Sequence, residues 1–181
     1  MKNSKLILIS IAVAVSVIFM FVFAFNGVQN KAFSLEEQIT TAQSEIKIQE
    51  KRRADLIPNL VDCVKAYDEH EYDTLMSVIG ERGSNSDDVA SEVMTSINVV
   101  AEQYPELKSN ENYKQLMTEL AATENLIAQT RTNYNTWVSK YNTYVRKFPN
   151  GTILNMLGYE YQNFDKLDFD VNSDAPTNLF D

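Results

Sequence analysis

The amino-terminal part of the chain is dominated by one uninterrupted apolar run. Residues 6–25, LILISIAVAVSVIFMFVFAF, contain no charged side chain. A helix of this length rises about 30 Å, which matches the thickness of the hydrocarbon core of a bilayer. A cleavable signal peptide is the alternative, but its apolar core is usually only about 7–15 residues long. The pattern therefore predicts an uncleaved transmembrane anchor over residues 6–25, preceded by a short tip at residues 1–5.

The charges that flank this run predict its orientation. Lys2 and Lys5 precede it, whereas only Lys31 follows closely, before Glu36 and Glu37. Cations next to a membrane span favour the cytoplasmic side. We therefore expect a single-pass protein with the amino-terminal tip in the cytoplasm and the carboxyl-terminal body outside it.

The body shows helical periodicity. After a short joint at residues 26–27, the apolar positions of residues 35–56 alternate spacings of four and three, as on the seam of a coiled coil or helical bundle. Similar patterns cover residues 60–79 and 89–104, and the stretch SNSDD (84–88) between them offers helix-capping residues. The seam positions of the first stretch are Leu35, Ile39, Ala42, Ile46, Gln49, Arg53 and Leu56.

The longest pattern keeps one register over residues 113–148, with the stretch LKSN (107–110) supplying a cap before it and breaker residues at 149–151. Its positions are Tyr113, Met117, Leu120, Glu124, Ile127, Arg131, Tyr134, Val138, Tyr141, Val145 and Phe148. The chain is therefore predicted to be all-α, with a single N-terminal transmembrane helix followed by an antiparallel bundle of about four long helices over residues 28–158. Acidic and polar residues dilute the apolar ones in residues 159–181, which predicts a flexible tail, and a short segment that docks on a neighbour or partner is the alternative.

Charged residues interrupt these apolar seams. Glu124 and Arg131 lie on the seam of the longest helix, and Arg53 and Asp55 lie on or beside the seam of the first bundle helix. Because desolvated charges must be paired, we expect Arg52 or Arg53 to meet Glu124, and Arg131 to meet Asp55 or another acid. Such a charge network would set the register of the helices more than it would add stability.

A proline stands in the middle of this charged stretch, KRRADLIPNL (51–60). Inside a helix Pro58 would cost about 3 kcal/mol, but in the first turn of a new helix most of that cost disappears. The stretch therefore predicts a joint between two helices or a kink in one long helix. We favour a joint or sharp kink formed by Asp55, Pro58 and Asn59, with Asp55 as the amino-terminal cap.

Composition offers little reactive chemistry. The net charge of −9 argues against nucleic acid, and the single cysteine, Cys63, excludes a multi-cysteine metal site. The only histidine, His70, lies in YDEHEYD (67–73), where a solvated acidic surface is a better interpretation than a cation site. An acid/base pair of Glu124 with an arginine is less common than a structural ion pair. We expect no catalytic residue, metal or cofactor, and hence no enzyme.

Four stretches carry a resemblance to the LemA family of bacterial membrane proteins. They are KRRADLIPNLVDCVKAYDEHE (51–71), AEQYPELKSNENYKQL (101–116), TENLIAQTRTNYN (123–135) and YNTYVRKFPN (141–150). The resemblance covers roughly residues 1–160 and implies a short tip, one membrane span and a helical bundle, with no established catalytic activity. The residues that match the family motifs are Arg52, Arg53, Asp55, Pro58, Asn59, Glu124, Asn125, Tyr134, Asn135, Tyr141, Asn142 and Pro149. The chain departs from the family pattern in a short segment at residues 80–91 and in its acidic tail.

The leading functional hypothesis is a membrane-anchored, non-enzymatic helical scaffold in the bacterial inner membrane. Its partners would be the lipid bilayer and either further copies of the chain, in a homo-oligomer, or other membrane proteins of the envelope. The resemblance also implies that one branch of the family is associated with magnetosome membranes, and it suggests an alternative role as adaptor or regulator of a membrane protease. A third hypothesis is an enzyme or metal-binding bundle centred on His70 or Glu124.

Overall fold

Six helices account for most of the residues that the structure describes. The computed structural model describes residues 2–83 and 86–168, with side chains described from residue 11 onward. The helices are α1 (Lys2–Val64), α2 (Glu69–Arg82), α3 (Asp87–Gln103), α4 (Pro105–Ser109), α5 (Glu111–Arg146) and α6 (Asn150–Met156). The described residues contain no β-strand, so the predicted all-α class is confirmed.

The amino-terminal half of α1 carries the predicted membrane span. Within residues 11–64 an 18-residue window has a mean hydropathy of 2.4, and none of that window is buried. Large apolar side chains such as Phe19, Met20 and Phe23 are exposed all around this part of the helix. By its length and composition, α1 therefore fits a single-pass membrane anchor. The predicted joint at residues 26–27 is wrong, because α1 continues through it.

The chain divides into two compact units. The first comprises Met1–Thr40 and Tyr134–Asp181, and the second comprises Thr41–Asn133, so α1 and α5 contribute to both. Within the first unit Tyr144 contacts Val28 and Tyr141 contacts Glu36, which shows that α1 and α5 are antiparallel there.

The second unit has a hydrophobic core built from five helices. The seam that the four-three spacing predicted on α1 faces the core. The apolar face of α3 packs in the same core. The core residues with the lowest exposure are Ile57, Leu60, Val61, Val64, Leu75, Val89, Val93, Ile97, Ala101 and Leu107. Periodicity in the sequence therefore located the buried faces correctly.

Side chains cap the amino-terminal ends of three helices, α2, α3 and α5. Asp68 accepts a hydrogen bond from Glu71 N at the start of α2, and Ser86 accepts one from Val89 N at the start of α3. Asn110 accepts hydrogen bonds from the main-chain N–H groups that open α5. These caps satisfy N–H groups that have no partner inside a helix.

Of the two alternatives predicted at Pro58, a joint between two helices or a kink in one long helix, the joint is wrong. α1 remains helical through Pro58 to Val64, so no helix begins there and Asp55 is not a cap. Asn59 instead donates from Nδ2 to the main-chain oxygen of Asp55 at 2.8 Å, within one helix. The physical reason is burial: Ile57 and Leu60 on either side of Pro58 are fully buried. Each such side chain contributes about 1.5–3 kcal/mol, enough together to offset the cost of about 3 kcal/mol for an interior proline.

The first unit has a smaller core that continues past α6. Its buried side chains are Ala32, Leu35 and Ile39 of α1, Tyr134, Val138, Tyr141 and Val145 of α5, Leu154 of α6, and Tyr159. Residues 159–168 follow α6 without regular secondary structure, yet Tyr159 is buried. This part of the segment predicted as a flexible tail is thus packed on the helices, and the rest of that prediction, residues 169–181, lies outside the described residues.

Candidate functional site

A buried arginine forms the centre of a charge cluster in the second unit. Arg53 on α1 is only 2% exposed. Its Nη1 lies 2.6 Å from Oδ1 of Asp87 on α3 and 3.4 Å from Oε1 of Glu124 on α5. The structure therefore brings Arg53 and Glu124 together, as the seam positions predicted, and adds Asp87 as a second partner of Arg53.

A second arginine shares the same carboxylate. Arg131 Nη1 lies 2.7 Å from Oδ2 of Asp87, and Arg131 Nη2 lies 2.8 Å from Oε1 of Glu50. Arg131 thus meets other acids and not Asp55, which is exposed and makes no ion pair in the described structure. Arg52, also predicted to join the cluster, instead pairs on the surface with Glu119 at 3.4 Å.

The electrostatics of the cluster favour a structural role. The hydrogen bond from Arg131, followed by that from Arg53, holds the pKa of Asp87 below its ordinary range despite partial burial. The pKa of Arg131 is raised, chiefly by its hydrogen bond with Asp87. A carboxylate with a lowered pKa is a weak base, and guanidinium groups do not release protons in proteins. The arrangement therefore suits holding three helices in register better than moving protons.

Sequence reasoning missed Asp87 and Glu50 as members of this cluster. Asp87 lies in the first turn of α3, where an acidic side chain is favoured by the helix dipole, so its presence gave no sign of an ion pair. Glu50 follows the seam position Gln49 and gave no signal of its own. Only the placement of α3 beside α1 and α5 identifies both acids as partners of the arginines.

A second cluster of polar side chains, formed by Glu36, Tyr141 and Tyr159, lies in the first unit. The hydroxyls of Tyr141 and Tyr159 both donate to Oε1 of Glu36, and the two hydroxyl oxygens are 3.3 Å apart. Burial raises the pKa of Tyr141 and, together with the hydrogen bond to Glu36, raises that of Tyr159 strongly. Both phenols therefore stay neutral and act as hydrogen-bond donors to the carboxylate. The sequence offered only Tyr141 here, through the family motif.

Three residues of α5 form hydrogen bonds with the main chain of the segment after α6. Asn135 donates from Nδ2 to Leu167 O and accepts from Leu167 N, both at 2.8 Å. Tyr134 donates to the main-chain oxygen of Asp165 at 3.1 Å, and Gln162 N donates to the hydroxyl of Tyr141 at 3.1 Å. The polar motif positions on this part of α5 therefore dock residues 159–168. These contacts explain why that segment is ordered although its composition predicted flexibility.

The remaining predicted residues take no part in these clusters. Asn125 is exposed on α5, and Asn142 is half-buried beside a cleft at the end of that helix. His70 is exposed on α2, where its main-chain oxygen accepts a hydrogen bond from Thr74. Across residues 2–83 and 86–168, no three His, Cys, Asp or Glu side chains form a group that could hold a metal.

Comparisons with known proteins agree with the resemblance in the motifs. A sequence model of the LemA family matches residues 42–178. Protein LemA of Metamycoplasma hominis is 29% identical over 134 residues, which cover 67% of this chain and 61% of that protein. Magnetosome proteins MamQ 1 and MamQ 2 of Paramagnetospirillum magneticum are each 44% identical over 50 residues, or 28% of this chain and 18% of theirs.

The chain spans less than two thirds of the length of these curated relatives. The family match nevertheless covers most of its 181 residues and includes both arginines of the charge cluster and the tyrosine and asparagine positions that dock the segment after α6. On this evidence the chain belongs to the LemA family.

Proposed function

We propose that this LemA-family protein is a membrane-anchored, non-enzymatic helical scaffold of the bacterial cell envelope. It acts by self-association or by presenting the outer surface of its helices to other envelope membrane proteins. The observation that carries the proposal is the burial of Arg53, whose guanidinium is engaged by Asp87 and Glu124 inside the second unit. The charged motif residues Arg53 and Glu124 pair with each other inside the unit and are not available to a partner. Partners would therefore bind the outer surface of the helices.

The anchor supports the proposed location. The apolar part of α1 is exposed all around, so lipid would cover side chains that water disfavours. We place it in the bacterial inner membrane as a single span. Lys2 and Lys5 favour a cytoplasmic amino terminus, which puts the helical body outside the cytoplasm.

A surface cleft of the second unit is the best place for a protein contact. Ile48 of α1 and Leu126 of α5 are 62% and 42% exposed, and both line one cleft of about 540 Å³. Arg52, Asp55 and Glu119 stand around these two apolar side chains. An apolar centre inside a charged rim is the usual anatomy of a protein interface.

Size measurement and crosslinking test the proposal together. The full-length protein in mild detergent is expected to be larger than a monomer by light scattering, or to yield recurrent envelope proteins when a photocrosslinker replaces Leu126. The double variant Ile48→Asp/Leu126→Asp should lose these contacts. Val99→Asp is the matched control, because Val99 is comparably exposed on α3.

The possible results separate the hypotheses. A strict monomer at high concentration, with no recurrent crosslinked protein, would exclude the scaffold. Recovery of a membrane protease as the recurrent partner would establish the alternative role of adaptor or regulator. Metal in the purified protein that is lost in His70→Ala would support a metal-binding bundle instead.

A further inference from the structure

The first unit has a cationic cleft at the end of α5. It has a volume of about 930 Å³ and runs between α1 and the carboxyl-terminal end of α5. Lys31, Lys140 and Lys147 line it, and the described lining residues include no Asp or Glu. The chain as a whole carries a net charge of −9, so the positive charge of this cleft is opposite in sign to that of the whole chain.

The cleft lies at the level where the proposed membrane span ends. Lys31 follows the last span residue, Phe25, by six positions, which is about 9 Å along a helix. The headgroup layer on each side of a bilayer is about 5–8 Å thick, so Lys31 stands at its outer edge. Tyr144 ties α5 to the same level, because its hydroxyl donates to Val28 O at 3.2 Å. This step rests on the anchor proposed above.

Aromatic side chains accompany the lysines. Phe148, directly after α5, is 80% exposed, which is unusual for a phenylalanine beside a packed helix pair. The Nζ of Lys140 lies 3.8 Å from the ring centroid of Trp137. Tryptophan and tyrosine prefer the membrane–water interface, and lysines attract anionic headgroups there. Lipid contact would remove the Phe148 ring from water.

We propose that this juxtamembrane cleft binds the phosphate of anionic phospholipid headgroups in the bilayer that holds α1. The three lysines supply the charge, each as a flexible ammonium donor to phosphate oxygens. Tyr144 and Phe148 form the apolar wall against the upper acyl chain, and Trp137 lines the cleft about 10 Å farther from the bilayer, seven positions earlier on α5. The cleft would thereby orient the helical body against the membrane surface.

The single tryptophan of the chain makes the proposal measurable. The full-length protein is reconstituted in phosphatidylcholine nanodiscs that contain spin-labelled phosphatidylglycerol or, separately, spin-labelled phosphatidylcholine, with the label attached next to the headgroup in both lipids. Labelled phosphatidylglycerol should quench Trp137 more strongly at equal mole fraction. Each lysine is expected to contribute about two- to fivefold to this preference. Added salt should weaken it, because the screening length is about 10 Å at 0.1 M.

Matched variants identify the residues responsible. The triple variant Lys31→Gln/Lys140→Gln/Lys147→Gln should bring the ratio of quenching by the two lipids to about one. Lys47→Gln/Lys51→Gln/Lys114→Gln removes the same charge from exposed positions of the second unit and should keep the ratio of the unmodified protein. The ratio is compared within each variant, since loss of Lys140 also changes the emission of Trp137.

Two results would overturn the lipid site. They are equal quenching by both lipids in the unmodified protein, and a preference that survives in the triple variant at the cleft. The anchor is tested in the same samples by co-migration with the discs. Co-migration without lipid preference rejects the cleft alone, whereas protein that leaves the discs rejects the anchor and the cleft together.

Discussion

Asp87 on α3 lies 2.6 Å from the guanidinium of Arg53 on α1, where Arg53 is almost completely buried. The same carboxylate receives both Nη groups of Arg131 on α5. One half-exposed acid thus forms ion pairs with two arginines on two other helices. Glu124 and Glu50 complete the cluster, each with one of the two arginines.

Removing the charge of Asp87 should destabilise the protein. Asp87→Asn removes the negative charge closest to the buried Arg53, whose contact with Glu124 is longer, and we expect a loss of about 2 kcal/mol in the free energy of unfolding. The value lies below that for a fully buried pair because Asp87 is 54% exposed and water can enter. Urea denaturation of the full-length protein in detergent, followed by circular dichroism, measures it. Asp88→Asn, an exposed acid in the same helical turn, is the control, and equal effects of the two variants would contradict the prediction.

The carboxylate of Asp87 should also make the stability of the protein depend on pH in the acid range. The pKa of Asp87 is lowered, chiefly by the hydrogen bond from Arg131, so the folded state binds this proton less tightly than the unfolded state. Its contribution to stability is therefore present above about pH 4, the ordinary pKa of aspartate, and is lost as pH falls through the folded-state pKa. Unfolding free energies measured over an acid pH series should fall more steeply in the unmodified protein than in Asp87→Asn. Parallel curves would show that Asp87 does not contribute.

The tyrosine pair on Glu36 predicts a local effect in the first unit. Tyr159→Phe removes one of the two hydroxyls that donate to this carboxylate, and a hydrogen bond to a charged group contributes about 2 kcal/mol. Hydrogen exchange should become faster in α6 and in residues 159–168, with little change in α3. Tyr161→Phe is the control, because its exposed hydroxyl bonds only neutral groups. Unchanged exchange in Tyr159→Phe would contradict the role of this pair.

Asn135 should control the order of the segment after α6. Asn135→Ala loses both hydrogen bonds to the main chain of Leu167, each contributing about 1 kcal/mol. We expect exchange of the Leu167 amide to accelerate about tenfold or more, since this amide is held by the asparagine alone in the described structure. Asn125→Ala, at an exposed motif position of the same helix, should leave the segment unchanged. If both variants behave alike, the docking of this segment depends on other contacts.

The four-three spacing of apolar residues in the sequence predicted correctly which helix positions are buried. The seam positions Leu35 and Ile39 on α1, and Ile127 and Val138 on α5, are all buried. Phe148, the last position of the long register, is exposed because α5 has already ended at Arg146. Pro58 shows the limit of local rules: of the joint or kink that it predicted, the continuous α1 excludes the joint, because burial of Ile57 and Leu60 outweighs the cost of an interior proline.

The sequence by itself determined the helical class, the apolar span, the buried seams and the family. These features depend on the order of neighbouring residues, which helical periodicity converts directly into faces. Only the tertiary structure decided that Asp87 and Glu50 are the acids for Arg131, and that Asn135 holds Leu167. Arg131 and Glu50 are 81 positions apart in the chain, and Asn135 and Leu167 are 32 apart. Such pairs form only once the helices have packed, and several acids compete for each arginine until packing brings one within reach.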